Sequence, residues 1–193
     1  RNVTGVQTCA LPILPDRADL SIFVAHPCHP SIFNDENDPQ ARRDYFGGVA
    51  AKQSIVCALM RGPESHYELA VAIAQRMYAP VIHAHRATVD QMAILEPVLS
   101  ETICATCLTV IREATDEAVR RGVPKQVAHD FILGHLNVEL AILFDQMPGV
   151  RMSDAANRAV ERAKKEIFVP DWKKVFEPAA IEESIRMITQ VEA

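Results

Sequence analysis

The segment HPCHP, residues 26–30, is the densest group of reactive side chains in the sequence. It places a thiol between two imidazoles, and histidine nitrogens bind metal ions or exchange protons near neutral pH. The segment follows a short apolar run, residues 20–25, and open α/β sheets bind ligands beyond the carboxyl ends of their strands. We interpret it as a candidate site. The alternative is a loop stiffened by two prolines, with its histidines bonded to backbone carbonyls.

Glu96 is the second candidate, because it stands in the apolar stretch AILEPVL, residues 93–99. Burying an ionised carboxylate is costly unless it is paired or binds a cation. Pro97 lacks a backbone N–H, so it is predicted to kink or divide the helix and to leave the carbonyl of Ala93 without a donor. A carboxylate beside such a deformation is suited to bind a divalent ion. The alternative is that Glu96 faces solvent.

His135 and Lys52 are candidates for catalytic work. His135 shares a helix face with Glu139, and the preceding Gly134 costs about 1 kcal/mol relative to alanine unless another group must come close. Close helix packing with a His–Glu hydrogen bond is the alternative to a substrate-facing role. Lys52 follows a pair of glycines and would bring a positive charge to an anionic substrate, or it is simply solvated.

The elements that must position these residues are predicted from hydrophobic periodicity. Apolar runs at residues 20–25, 54–60 and 81–84 predict strands, with a helix at 64–78 between the last two. This order indicates the tail of a Rossmann α/β sheet at residues 15–87. From Thr88, which forms a capping box with Gln91, the pattern is helical.

The helical region, residues 88–193, is predicted to begin with a long kinked helix that stops at Gly122. Further helices are expected at residues 125–144, 154–166 and 178–191. The predicted fold class is therefore mainly α, α+β overall, with the tail of a Rossmann sheet followed by an all-helical domain.

Composition excludes several classes of protein. The chain has 193 residues, 49% of them hydrophobic, and a net charge of -5, which excludes disordered, collagen-like and coiled-coil proteins. Its mild acidity and lack of a basic patch argue against nucleic acid and anionic membranes as partners. The longest strongly apolar stretch, residues 103–111, is shorter than the ~18–20 residues of a membrane span. Five cysteines without a secretory signal indicate reduced thiols in the cytoplasm.

Residues 1–14, RNVTGVQTCALPIL, show neither helical nor strand periodicity and resemble translated sequencing-adapter read-through. We expect them to be a non-native leader and exclude them from the fold. On that interpretation the chain is truncated at its N-terminus.

Several longer motifs carry a resemblance to a known family. They are VAHPCHPSIFNDE, RRDYFGGVAAKQSIVCALMRGP, MYAPV, QMAILEPVLSET, GHLNVELAI and FVPDWKKVFEP. Together they cover about residues 19–189 and resemble the C-terminal portion of a family related to decarboxylating phosphogluconate dehydrogenases. The resemblance implies a two-domain enzyme. Its N-terminal Rossmann domain would bind NAD, and its helical domain would complete the active site and form a homodimer.

The resemblance also implies a reaction, the oxidation of a branched sugar acid coupled to a skeletal rearrangement in which a divalent cation (Zn, Mg or Mn) holds adjacent substrate oxygens. It places this cation on His26 and Glu96, the two residues that position and burial cost had already singled out. His135 or Lys52 would contact the substrate carboxylate or carry protons.

The sequence departs from the family in two ways. It contains no GxGxxG loop, so the residues that bind NAD are unknown, and no lysine lies between Lys52 and Lys125, which leaves the catalytic base open. Two alternatives therefore remain. One is an NAD(P)-dependent hydroxyacid or phosphogluconate-type dehydrogenase without rearrangement, and the other is a helical dimerisation and binding domain with no activity.

Overall fold

The computed structural model describes residues 19–189, and the predicted leader lies outside them. The described residues form two compact units. The first contains residues 19–99 and 178–189, and the second contains residues 100–177. The domain limits predicted from the sequence, after residues 14 and 87, stay predictions.

The first unit is built on a three-stranded sheet. Its strands are β1 (Ile22–Pro27), β2 (Gln53–Arg61) and β3 (Val81–Arg86), in the order β1-β2-β3. β2 and β3 are parallel, and helix α1 (Ser65–Met77) supplies the crossover that a parallel pair requires. β1 runs antiparallel to β2, a direction that the sequence did not predict. The predicted sheet tail is confirmed.

The two faces of β2 are covered by different helices. One face carries Ile55 and Cys57, which are buried with Ala74 of α1. Ala58 points to the opposite face and is also buried, and helix α2 (Val89–Ala93), with its buried Met92, packs against β2. His26 pairs with Val56, so by strand alternation it lies on the face opposite Ile55 and Cys57.

The helix that follows β3 begins as predicted. The hydroxyl of Thr88 accepts from the Gln91 backbone N–H at 3.2 Å, and the Gln91 side chain accepts from the Thr88 N–H at 2.9 Å. After α2 the chain continues as a π-helix (Ile94–Ala105) and then as α3 (Thr106–Arg120). Pro97 therefore does not divide the helix. In π-helical bonding the donor to the Ala93 carbonyl would be the N–H of Val98, five positions on, so that carbonyl does not depend on Pro97.

Helical turns run without a break from Val89 to Arg120, 32 residues, which is longer than the apolar stretch recognised in the sequence. By length and composition alone this helix could cross a membrane, and it is the only helix among residues 19–189 that meets these criteria. Only 11% of its most apolar window is buried. Core helices of soluble proteins meet the same criteria, so the finding is weak evidence for a membrane span.

The remaining predicted helices are confirmed within a few residues of their expected limits. They are α4 (Lys125–Leu143), α5 (Asp154–Ile167) and α6 (Pro178–Thr189), and short 3-10 turns occur at Ala41–Arg43 and Trp172–Phe176. The side chain of Ser153 caps α5 by accepting from the Ala156 N–H at 3.2 Å. In the second unit α3 packs against α4, and Gly122, at φ 103°, stands between them.

Asp44 organises the loop that leads into β2. Its Oδ2 accepts the backbone N–H groups of Val49, Ala50 and Ala51 at 3.0, 2.9 and 3.1 Å. These donors, Ala50 first, hold the pKa of Asp44 below its usual value. The ionised carboxylate therefore stabilises the folded loop.

We predict that Asp44→Asn lowers the free energy of unfolding by about 1 kcal/mol at neutral pH, since neutral acceptors form weaker hydrogen bonds. Because the pKa of Asp44 is depressed in the folded state, the stabilisation is complete above the unfolded carboxyl pKa and is lost as pH falls through the folded pKa. Urea titrations across this range should show the two proteins converging in acid. Glu113→Gln, at an exposed carboxylate of α3, is the control. An equal difference at every pH would contradict the prediction.

Candidate functional site

His26 and Glu96 meet in the first unit. His26 stands near the end of β1, and Glu96 lies in the π-helix immediately before the buried Pro97. His26 Nε2 is 3.5 Å from Glu96 Oε1, and the two side chains are only 19% and 17% exposed. The alternative that Glu96 faces solvent is therefore wrong, because this carboxylate is largely buried and faces an imidazole.

A backbone hydrogen bond sets the orientation and tautomer of the His26 ring. Its Nδ1 lies 2.8 Å from the carbonyl oxygen of Pro27. A carbonyl can only accept, so Nδ1 carries the proton and Nε2 is the nitrogen turned toward Glu96. A bare Nε2 and a carboxylate oxygen would face each other with lone pairs. A proton or a metal ion between them resolves this contact, which is the arrangement expected of a metal-binding histidine.

The metal-binding potential of the described residues is limited to pairs. No group of three or more His, Cys, Asp or Glu side chains within residues 19–189 is arranged to hold a metal ion. His26 and Glu96 would therefore supply two ligands, a nitrogen and an oxygen. Catalytic metal sites leave positions open for substrate or water, so the pair fits a divalent ion that also binds substrate.

His29 lies beside this pair in a left-handed backbone conformation, φ 61°, which is uncommon for a residue with a side chain. Its Nδ1 donates to the carbonyl oxygen of Phe46 at 2.9 Å, and its ring lies edge-on to the rings of His26 and Phe46, at centroid distances of 6.0 and 5.8 Å. The alternative interpretation of the HPCHP segment is thus partly correct, since both histidines bond a backbone carbonyl through one nitrogen. In each ring the other nitrogen stays available for chemistry.

Lys52 lines a cavity that is also lined by His29, whose ring lies edge-on to that of His26. The cavity has a volume of about 500 Å³, and its lining consists of Cys28, His29, Ser31, Phe33, Asn34, Asp35, Glu36, Lys52, Gln53, Ser54 and Ile82. The Lys52 side chain is 60% exposed, and its Nζ is 3.5 Å from Glu36 Oε1. A long ion pair of this kind contributes little to stability, so the ammonium can be shared with a ligand.

His135 lies in the second unit, on α4. Its Nδ1 donates to the carbonyl oxygen of Phe131 at 2.8 Å, and its ring stacks on the Phe131 ring at 4.0 Å. The structure gives no hydrogen bond between His135 and Glu139 among the described residues, and a Cβ at Gly134 would meet nothing within 4 Å. The expectation of close helix packing at Gly134 is therefore not met among residues 19–189. The catalytic role of His135 stays a prediction.

Gln53 is a polar residue of this region that sequence reasoning missed. It is 2% exposed, and its Nε2 donates to the Tyr78 carbonyl at 2.9 Å, whereas its Oε1 is buried with no hydrogen-bond partner in the described structure. The signal was present in the sequence, since an amide at the start of the apolar run SIVCALM must be satisfied if it is buried.

The described residues thus form the tail of a Rossmann-type α/β sheet followed by a helical region, with a largely buried histidine–carboxylate pair near the end of a strand. The profile of the phosphogluconate dehydrogenase (decarboxylating) C-terminal family matches residues 34–189. The chain belongs to this family.

Two curated relatives and one solved structure are similar over most of this chain. D-apionate oxidoisomerase of Cupriavidus necator is 62% identical over 176 residues, and that of Rhizobium rhizogenes is 56% identical over the same length. Each alignment covers 91% of this chain but only 63% and 64% of those proteins. The semialdehyde dehydrogenase NAD-binding protein of Cupriavidus necator, solved in complex with calcium and NAD, is 60% identical, with a TM-score of 0.90 over 94% of this chain and 66% of its own.

A more distant structure shares the fold alone. It is an NADH-preferring ketol-acid reductoisomerase from an uncultured archean, 16% identical, with a TM-score of 0.55 over 95% of this chain and 53% of its own. The chain spans less than two thirds of the length of the two oxidoisomerases and of the Cupriavidus necator structure.

Gly47 and Gly48 provide a matched test of the packing around Gln53. Both have positive φ angles, 74° and 84°, but a Cβ on Gly47 would overlap the Gln53 amide, whereas one on Gly48 would meet nothing within 4 Å. We predict that Gly48→Ala costs about 1 kcal/mol for its left-handed backbone. Gly47→Ala should cost about 1–3 kcal/mol more, because the Gln53 amide must move. Equal losses in denaturant titrations would show that Gly47 does not constrain Gln53.

Proposed function

We propose that the whole protein containing this chain is an NAD-dependent oxidoisomerase of sugar-acid catabolism that converts D-apionate to 3-oxo-isoapionate. The observation that carries the proposal is the largely buried pair of His26 and Glu96, with 3.5 Å between Nε2 and Oε1. The hydrogen bond from Nδ1 to the Pro27 carbonyl orients the ring so that Nε2 faces the carboxylate. The similarity to D-apionate oxidoisomerases supports the choice of substrate and reaction.

A divalent cation held by His26 and Glu96 is part of the proposal. The cation, Zn, Mg or Mn, would act there as a Lewis acid toward the oxygens of a hydroxy acid. A donor set of one imidazole nitrogen and one carboxylate suits Zn or Mn better than Mg, which prefers oxygen ligands throughout. Calcium in the Cupriavidus necator structure is consistent with a divalent-ion site in that protein.

The protein's own groups have separate tasks in this proposal. The Nδ1–H bond to the Pro27 carbonyl keeps the His26 ring from turning, so Nε2 stays directed at Glu96. Either Lys52 or His135 contacts the substrate carboxylate or carries protons. Lys52 is favoured for the carboxylate, because it lines the same cavity as His29, whereas the His135 ring bonds and stacks on Phe131 of its own helix.

NAD belongs to the proposal for the whole protein. The sequence contains no glycine-rich phosphate loop, and we assign none of residues 19–189 to NAD binding. The support for NAD comes from the family and from the NAD complex of the Cupriavidus necator protein.

Cytoplasmic location is proposed with this activity. Of the cysteines in the described part of the chain, Cys28, Cys57, Cys104 and Cys107 are all free thiols, as expected in a reducing compartment. We propose no nucleic acid and no membrane as partners, since the chain is mildly acidic without a basic patch.

We predict that residues 15–193, joined to the N-terminal NAD-binding part of the Cupriavidus necator relative, convert D-apionate to 3-oxo-isoapionate. His26→Ala and Glu96→Ala should each lower turnover about 100-fold, or about 2.7 kcal/mol, and each should abolish binding of Zn²⁺, Mn²⁺ or Mg²⁺ in calorimetric titrations. His66→Ala and Glu113→Ala, at exposed positions, serve as controls.

Product analysis separates the alternatives. An oxidised but unrearranged, or decarboxylated, product would favour a simple hydroxyacid or phosphogluconate-type dehydrogenase. A folded joined protein that turns over neither D-apionate nor D-gluconate would favour a non-catalytic binding domain. Metal binding that survives both substitutions would remove His26 and Glu96 from the site.

A homodimer formed through the helical region is also proposed. In the second unit α3 and α4 enclose an apolar cavity of about 400 Å³, lined by Ile111, Ala114, Thr115, Ala118, Val123, Val127, Ala128, Phe131 and Ile132. Val127 and Phe131 of α4 are one helical turn apart, line this cavity and are 55% and 64% exposed, and the surface at Gly134 is open. Contiguous exposed apolar surface of this kind marks an interface. We assign it to the same surface of a second copy, which is the commonest symmetric arrangement.

Phe131→Glu should convert the dimer to a monomer, as measured by sedimentation, because a carboxylate cannot be buried unpaired at an apolar interface. The exposed position of Phe131 limits the cost to the folded chain. Arg158→Glu, at an exposed site of α5, should leave the dimer intact. A wild-type monomer that sediments with lipid vesicles through the helix Val89–Arg120 would instead contradict both the dimer and the absence of a membrane partner.

A further inference from the structure

His83 and His85 form a pair of imidazoles on an outer strand of the sheet. Both residues lie in β3 and both are exposed. Their ring centroids are 5.7 Å apart, with 40° between the ring planes. β3 pairs with β2 on one side, and no further strand pairs with it among residues 19–189. Solvent and dissolved ions therefore reach both rings in the first unit.

Strand geometry places the two imidazoles on one face of the sheet. Residues two apart in a strand point to the same side. Ala84, which lies between them, packs against the buried core, so the imidazoles lie on the opposite face. His85 pairs with Val56, and Val56 pairs with His26 on its other side. The pair therefore shares a sheet face with His26 but lies two strand spacings, about 10 Å, away from it.

The nitrogens of these two rings are not committed to protein groups. Neither ring makes a hydrogen bond or an ion pair with another residue in the described part of the chain, and the two rings contact each other. By contrast, four other histidines each bond a protein oxygen through Nδ1, namely His26, His29, His66 and His135. A neutral imidazole carries a lone pair on one nitrogen, so each ring of the pair offers a ligand to a metal ion.

The spacing of the rings suits a shared ion. An ion about 2 Å from one nitrogen of each ring, with the two nitrogens in neighbouring coordination positions, would hold the ring centroids about 5 Å apart. The observed separation of 5.7 Å is slightly longer. Exposed side chains change rotamer readily, so a small rotation of the two rings brings them to this distance.

The charges near the pair do not oppose a cation. Arg86 follows His85 directly, but it lies on the other face of the strand, where it pairs with Glu64 and its guanidinium lies 4.2 Å from the centre of the Tyr67 ring. No third His, Cys, Asp or Glu side chain of residues 19–189 completes a cluster with the two imidazoles. The ion would therefore keep its remaining positions for water.

We propose that His83 and His85 bind a late transition-metal ion, with Cu²⁺ held most tightly, at a site separate from the His26–Glu96 pair. Two imidazoles without a carboxylate do not suit Mg²⁺ or Ca²⁺, which prefer oxygen ligands. Among divalent ions of the first transition series, Cu²⁺ has the highest affinity for a given nitrogen site, above Zn²⁺ and far above Mn²⁺. The inference is independent of the proposed function, because neither histidine has a part in it.

Copper titration of the joined protein described above tests this site. At mildly alkaline pH, where imidazole is unprotonated and free to bind a metal ion, the wild type should bind one Cu²⁺ more than His83→Asn or His85→Asn. Each variant should weaken binding at this site about 100-fold, because it breaks the chelate and leaves a single ligand. The comparison with the variants removes any copper held elsewhere in the protein.

Electron paramagnetic resonance of the bound copper identifies its ligands. The difference between the wild-type and variant spectra should show coupling to two imidazole nitrogens. Both positions are exposed, so the substitutions should cost the folded chain little, and circular dichroism checks this. His66→Ala, at an exposed histidine of α1, should leave the amount of bound copper unchanged.

The remaining outcomes separate this site from the proposed function. Equal copper binding in the wild type and both variants would overturn the inference, and the histidines would then be polar residues that keep an outer strand from pairing with other chains. A loss of copper in only one variant would show binding to a single imidazole and would also overturn it. Copper bound by both histidines in a joined protein that does not turn over D-apionate would support the site and reject the proposed function.

Discussion

The contact between His26 Nε2 and Glu96 Oε1 requires a positive charge, because the Nδ1–H bond to Pro27 leaves two lone-pair-bearing atoms facing each other at 3.5 Å. Both side chains are largely shielded from water, so solvent does not screen this contact well. A proton or a metal ion between the two atoms satisfies both of them. A shared proton would make the pair structural, whereas a metal ion would make it catalytic.

Two elements distant in sequence produce that contact. β1 pairs antiparallel with β2, which places His26 on the sheet face opposite the core residues Ile55 and Cys57. α2 packs against β2 and leads directly into the π-helix that contains Glu96. π-helical bonding accommodates Pro97, whose ring removes one donor, and π-helical segments are frequent at functional sites. The deformation that the proline imposes is therefore part of how the carboxylate is held.

The loop between β1 and β2 builds the other wall of the site. Asp44 gathers three backbone N–H groups of this loop, and the neighbouring Gly47 lies so close to Gln53 that a side chain would displace its amide. His29 adopts a left-handed backbone conformation, and its Nδ1 donates a hydrogen bond to the Phe46 carbonyl.

The sequence by itself determined most of the secondary structure and the identity of the central pair. Apolar periodicity, the Thr88 capping box and the Gly122 stop depend on neighbours within a few residues, so they can be recognised locally. The isolated carboxylate in AILEPVL and the paired histidines of HPCHP were visible for the same reason. Tertiary structure alone decided the direction of β1, the π-helical path through Pro97 and the burial of Gln53. The strand direction and the burial of Gln53 depend on contacts between residues far apart in the chain, whose energies no local pattern contains.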